Sequence, residues 1–341
     1  MIVGLIATRN PTSALLRTVE SLVEGGARRV IVVDDGSDHP ESLAILTQLG
    51  GHQFPVRIVH LARNRGKAAA LQHGFRFITP GSIIIQTDDD TLAGDLTKPA
   101  QMIERGAADI VDIRVETARS NRPLALVQAL DYWLVNAVTK RVQNWLRARL
   151  WLSGASVMYS YNAGQVLIME KAHTITEDTE ALFRARQHGL RVRYCAAKDS
   201  QFVTLVPETL PGLRRQWKRW ALGNGQVLRM YGFGGGVLRV AIVNACTWFY
   251  VLILPYLLAI MLGVDQAIEW TLGAGVVIGI IGAVQLRRPM VATIGILLPL
   301  LATGWAFHAL EGLFRAFRNP ITEDHLTWEP PARGEFLEVP E

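Results

Sequence analysis

The chain has 341 residues, of which 50% are hydrophobic and only 19% charged, and its formal net charge is +5. That length holds one α/β domain of ordinary size and a second region, and the apolar excess, gathered between Val237 and Leu313, argues against a purely soluble protein. The basic residues stand beside that stretch (Arg214, Arg215, Lys218, Arg219, Arg287, Arg288, Arg315 and Arg318), as at cytoplasmic membrane flanks, and no aromatic-interleaved basic module accompanies them, so a nucleic-acid partner is not expected.

From Met1 the chain enters a short apolar strand, Ile2–Thr8, with no signal peptide before it, which predicts a catalytic part on the cytoplasmic side. An amphipathic helix over 12–23, a β-branched strand over 29–33 stopped by Asp34-Asp35-Gly36-Ser37, a helix over 42–49, a strand over 56–61, a helix over 67–77 and a strand over 82–87 follow. This strand–helix alternation predicts a doubly wound, mostly parallel sheet, in which ligands bind beyond the carboxyl ends of the strands. Asn10, Asp34, Asp35 and Asp88-Asp89-Asp90 all fall at such ends. Further on, the pattern predicts a strand over 109–115, one long helix over 124–152, a break at Ser153-Gly154-Ala155, a strand over 165–169 and a helix capped by Thr176 that ends at Gly189. An amphipathic basic helix over 213–221 then leads through a glycine-rich elbow into three hydrophobic runs, 237–262, 267–285 and 290–313, each near the ~20 residues that span a bilayer. The two cysteines, Cys195 and Cys246, fit a reducing compartment and make no disulfide framework. The expected division is therefore a cytoplasmic domain over 1–205, an interfacial helix over 206–236, transmembrane helices over 237–313 and a tail over 314–341.

Several groups in this frame could carry chemistry. Side chains at i and i+2 on an extended chain share a face, so Asp88 and Asp90 can converge on one Mg²⁺ or Mn²⁺ while Asp89 points elsewhere; the plain alternative is an acidic turn. Asp34 or Asp35 can accept from a pyrimidine N3–H, or can merely shape a turn. Arg63-Asn64-Arg65-Gly66-Lys67 sets positive charge and a glycine before a helix N-terminus, a natural anion site. Thr176-Glu177-Asp178 opens a helix, where its acids suit the helix dipole, and Asp178 could instead be a general base. Gln216, Arg219 and Trp220 lie on one helix face, joining an amide, a guanidinium suited to a diphosphate and an indole suited to a sugar face; an interfacial amphipathic helix accounts for them equally well.

In this order, DDGS, NRGKAAALQHG, a strand ending in DDD, SGA, TED and QxxRW resemble the processive family-2 glycosyltransferases, among them hyaluronan, chitin, cellulose and poly-N-acetylglucosamine synthases. The tail Trp328-Glu-Pro-Pro-Ala-Arg333-Gly334 is similar to a Trp-x4-Arg-Gly ending in that group. The resemblance implies a GT-A-like fold, a UDP-sugar donor and a membrane-bound, inverting transfer onto a growing glycan, with export of the polymer. It places Asp34, Asp35, Lys67, Asp88 and Arg219 at the nucleotide, Asp88 and Asp90 at the metal, Ser153, Gly154, Gln216 and Trp220 at the acceptor, and makes Asp178 the base. A single transfer to a polyprenyl-phosphate or glycerolipid acceptor is the rival expectation. Membrane lipids and a second copy of the chain complete the expected partners.

Overall fold

The computed structural model describes residues 1–51, 55–147, 149, 151–232 and 259–318. They fall into two compact units, one built from Met1–Glu116 and Trp151–Leu205, the other from Thr117–Leu150 and Val206–Asn319.

The first unit is organised by a sheet whose strands are β1 (Ile2–Thr8), β2 (Arg29–Asp34), β3 (Val56–His60), β4 (Ile83–Thr87), β6 (Ile110–Ile113), β8 (Val157–Ser160) and β9 (Val192–Cys195), in the spatial order β3-β2-β1-β4-β8-β6-β9. Three short strands, β5 (Thr91–Leu92), β7 (Val115–Thr117) and β10 (Phe202–Thr204), make a second sheet in the order β5-β10-β7. The β-branched runs of β1, β2 and β4 are buried on both faces, as expected of central parallel strands covered by helices. Helices α1 (Ala14–Glu24), α2 (Pro40–Gly51), α3 (Lys67–Phe75) and α4 (Thr97–Glu104) occupy the connections. A continuous core joins Leu5, Ile31 and Ile84 of the sheet to Leu71 and Phe75 of α3 and to Leu167 and Leu182 further along the chain, each fully buried side chain contributing ~1.5–3 kcal/mol.

The structure corrects the sequence-based reading in the middle of this unit. The sheet is mixed, because β8 runs antiparallel to both β4 and β6. The apolar stretch predicted as a strand over 165–169 lies instead in helix α7 (Tyr161–Met169), entered through Ser160, whose hydroxyl accepts from the Ala163 N–H. Thr176 does not cap helix α8 (Glu177–Gln187) with its side chain. Glu180 serves the entry to that helix, accepting the N–H groups of His173 and Thr174.

In the second unit the long helix predicted over 124–152 is divided: α5 (Pro123–Leu134) passes through a π-type turn, Val135–Thr139, into α6 (Lys140–Trp145). Helix α9 (Leu210–Tyr231) is longer than the amphipathic segment predicted and ends at Gly232. The helix Val264–Leu286 matches the second hydrophobic run and, among the described residues, is the one long and apolar enough to cross a membrane, with a mean hydropathy of 1.8 over its most apolar window. Trp270, Val277, Ile280 and Val284 on it are exposed. The third run is broken into Val291–Ile294, a tight turn over Gly295–Leu297 and the helix Leu298–Arg318. The break is a close crossing of small residues: a Cβ on Gly279 would lie 2.9 Å from the Gly295 Cα. Leu126, Leu130 and Trp133 of α5 close this core against Ala283, Val291 and Ile294. Most of the first run (237–258) and the tail motif at 328–334 lie outside the described residues.

Candidate active site

The register of the sheet collects the acidic motifs at one edge. Thr8 pairs with Asp34, Asp34 with His60, and Ile6 with Thr87, so β1, β2, β3 and β4 end side by side. Because β8 is antiparallel and its first residue Val157 pairs with Gln86, the segment before β8, Ser153–Ser156, arrives at that same edge. The Thr87 hydroxyl ties the two, donating to the Ala155 carbonyl at 2.7 Å.

At the end of β2, both acids are engaged by the protein itself. Asp34 Oδ1 accepts from the Ser37 N–H (2.9 Å) and hydroxyl (2.5 Å), and Oδ2 lies 3.0 Å from His60 Nδ1. Asp35 accepts the N–H groups of Arg65 and Gly66, both at 2.8 Å. The loop before α3 is thus an anion site whose anion is Asp35. Burial raises this carboxyl above its ordinary range while the two N–H bonds pull it back. Gly36, at φ +71°, permits the close approach: a Cβ there would lie 2.6 Å from the Arg63 carbonyl carbon.

At the end of β4 the arrangement differs. Asp88 follows the strand directly and Asp89-Asp90 form a turn. Asp89 points back to β1, accepting from the Thr8 hydroxyl at 2.5 Å, whereas Asp90 is buried beside Thr91, whose hydroxyl donates to it at 3.3 Å. Asp88 meets Lys67, the first residue of α3, at 2.6 Å, and the same ammonium lies 3.1 Å from Glu177, the first residue of α8. Burial works against the Lys67 charge, but Asp88, Glu177 and Asp178 outweigh it and hold the ammonium above its usual range. Next to Glu177, Asp178 takes the Thr179 N–H on Oδ1 (2.7 Å) and the Gly154 N–H on Oδ2 (3.0 Å). Burial, with the Glu177 charge beside it, pushes the Asp178 carboxyl up to about 6 against the pull of Lys67 and the two N–H bonds. Each of its oxygens keeps a second lone pair. A carboxylate oriented by two backbone donors, raised in basicity and facing a cationic centre, can remove a proton from a hydroxyl.

The family described as "Glycosyl transferase family 2" matches residues 5–162, which contain all the strand-end acids and the Ser153–Ser156 segment. This segment is a family-2 glycosyltransferase domain. The chain is 25% identical over 263 residues to a poly-beta-1,6-N-acetyl-D-glucosamine synthase of Staphylococcus epidermidis, covering 73% of this chain and 62% of that protein. It is 27% identical over 230 residues to the enzyme of the same description from Staphylococcus aureus strain COL, covering 66% and 54% respectively. The chain therefore spans little more than half the length of these curated relatives. Among solved structures, the mannosyltransferase PcManGT from Pyrobaculum calidifontis, in complex with GDP-Man and Mn²⁺, superposes with a TM-score of 0.56 at 17% identity, covering 91% of this chain and 86% of that one, which supports the fold.

Within the first unit the geometry also brings in residues that sequence reasoning passed over. Glu177 was expected only as a helix-dipole acid, yet it shares Lys67 with Asp88. Asp112 on β6 accepts the Ser153 N–H at 3.0 Å and so fixes the segment that carries Gly154. Its signal is an acid in the fully buried run of β6. The donor chemistry available to a metal fits Mg²⁺ or Mn²⁺: Asp88 is a hard oxygen donor already facing a cation, while Asp90, expected on an extended chain to share its face, lies in the turn and is buried beside Thr91. Among the described residues no three acidic, imidazole or thiol groups converge, so such an ion would need oxygens from a substrate phosphate and water. Gln216, Arg219 and Trp220 stand on α9 of the second unit, Gln216 buried and the other two half-buried; Trp217 on the same helix is buried, its ring tilted against His308 with centroids 5.9 Å apart.

Proposed function

We propose that this chain is a membrane-bound, metal-assisted inverting glycosyltransferase that extends a β-linked N-acetylhexosamine polymer from a UDP-sugar. The observation that carries the reading is Asp178, a carboxylate aimed by the Gly154 and Thr179 N–H groups beside the Lys67–Asp88 pair. The family-2 domain and the poly-N-acetylglucosamine synthase relatives support the reaction class and the choice of sugar.

In this reading Asp178 takes the proton of the acceptor hydroxyl as that oxygen forms a bond to the anomeric carbon and the bond from that carbon to the diphosphate oxygen breaks. One displacement inverts the configuration and releases UDP, leaving the proton on Asp178 for transfer to solvent. A bound divalent ion on Asp88 and Asp90 would neutralise charge on the diphosphate leaving group. Lys67 adds positive charge beside Asp88, and Ser153-Gly154 hold the base and border the acceptor. Asp34 and Asp35 shape the turn against which the uracil would rest, and Gln216, Arg219 and Trp220 would serve the diphosphate and acceptor sugar. The apolar, exposed helix Val264–Leu286 supports membrane attachment, and it equally supports the second reading, one sugar passed to a lipid-borne acceptor.

The test is to incubate the purified full chain with radiolabelled UDP-N-acetylglucosamine and other UDP-sugars, with Mg²⁺ or Mn²⁺, and to size the product. A ladder or high-mass polymer is expected. A lipid-soluble product carrying one sugar would replace the polymer reading with the second one. Neither product with any donor would overturn both.

A further inference from the structure

We propose that Lys67 is the resident cation of the donor site: in the nucleotide-free enzyme its ammonium occupies the cation position on Asp88, and it swings off Asp88 onto Glu177 when a divalent ion arrives with the UDP diphosphate. The proposal rests on the reading of Asp88 as a metal ligand given above.

Three observations carry it. The Lys67 Nζ is 2.6 Å from Asp88 Oδ1, so a carboxylate assigned to a metal is already paired with a cation. Lys67 is also largely buried, with 14% of its side chain exposed, and a Cβ on Gly154 would lie 3.3 Å from Nζ, so the ammonium is enclosed and not one of several drifting surface positions. Finally, Glu177 holds the same nitrogen at 3.1 Å, giving Lys67 a second carboxylate on a different element to which it can stay bound on leaving Asp88. Glu177 is thus the pivot of the exchange.

The consequence is a linkage between metal and nucleotide. A bare divalent ion approaching Asp88 must either sit beside the ammonium, against like-charge repulsion, or strip Lys67 from its best partner. When the diphosphate arrives with the ion, its negative oxygens offset that repulsion and offer both cations new partners. Nucleotide-free protein should therefore bind metal poorly, and UDP should strengthen metal binding. Reciprocity requires the metal to strengthen UDP binding by the same factor. A residue that simply contacted the donor would produce no such discrimination against the bare ion.

Mn²⁺ titration followed by electron paramagnetic resonance of the free ion reads this without any transfer reaction. Wild-type full chain should bind Mn²⁺ weakly alone and about tenfold or more tightly with UDP. Lys67→Met, which removes the charge and keeps the length, should bind Mn²⁺ alone about tenfold more tightly than wild type, so that the gain from UDP shrinks. Lys67→Gln provides a second neutral side chain should the Met variant not fold, and Lys67→Arg, still cationic, should keep the weak nucleotide-free binding. If UDP supports Mn²⁺ binding in wild type but neither neutral variant binds Mn²⁺ alone more tightly, the resident-cation proposal is overturned while the metal reading stands. If wild type binds no Mn²⁺ even with UDP, the metal reading falls and takes the proposal with it.

Discussion

Two acidic motifs close β2 and β4, the strands on either side of β1, and they use their carboxylates in opposite ways. Asp34 and Asp35 are held by the backbone and side chains of adjoining loops, so their charge organises the chain. Asp88 is held by the end of a lysine side chain and Asp178 by two backbone N–H groups on its outer oxygens, with Lys67 charge nearby. A carboxylate saturated by backbone donors is fixed in place. One paired with a side-chain ammonium can exchange that partner for a substrate or a metal. At the ends of β2 and β4 the same residue type thus divides between scaffold and chemistry by its partner, whereas Asp178, in the first turn of α8, is itself aimed by backbone N–H groups.

Substitutions should separate the two classes. Asp178→Asn removes the base and leaves an acceptor oxygen for one N–H, so transfer should fall by ~10²–10⁴ while circular dichroism and UDP affinity stay near wild type. Gly154→Ala tests the aim of the base: the new Cβ would lie 2.9 Å from Asp178 Oδ2, and a displacement of that order should lower kcat by ~10²-fold with little change in donor KM. Asp35→Asn tests the scaffold class. It should cost about 1–3 kcal/mol of stability, read by denaturant unfolding, because an amide cannot accept both the Arg65 and Gly66 N–H groups. Were Asp35→Asn to abolish transfer in a protein as stable as wild type, the division between the two acidic motifs would collapse.

Much of this was legible in the sequence. The β-branched runs announced β1, β2 and β4, and the acids after β2 and β4 marked the edge where ligands bind, since parallel strands must end together. Periodicity failed where elements were short: Val157–Ser160 and Tyr161–Met169 form a strand and then a helix whose polar face is only Asn162 and Gln165, too little to mark the change. The break of the predicted helix at Val135–Thr139 left no proline or glycine as a marker. In the site, Asp88 and Asp178 could be singled out, but not their connection. Lys67, Asp88 and Glu177 stand on three elements, and only folding reveals that one ammonium serves both acids. Spacing likewise could not tell that the Arg63–Lys67 loop, built to bind an anion, already has one in Asp35.

If Asp178 is the base, the pH dependence of kcat/KM for transfer must carry its titration. With its carboxyl raised to about 6, Asp178 is charged and competent above that pH and protonated below it. The rate should be level near neutrality and fall about tenfold per pH unit below about 6, with this limb absent from the residual activity of Asp178→Asn. A wild-type profile with no acid limb, or an acid limb that persists unchanged in Asp178→Asn, would contradict the assignment.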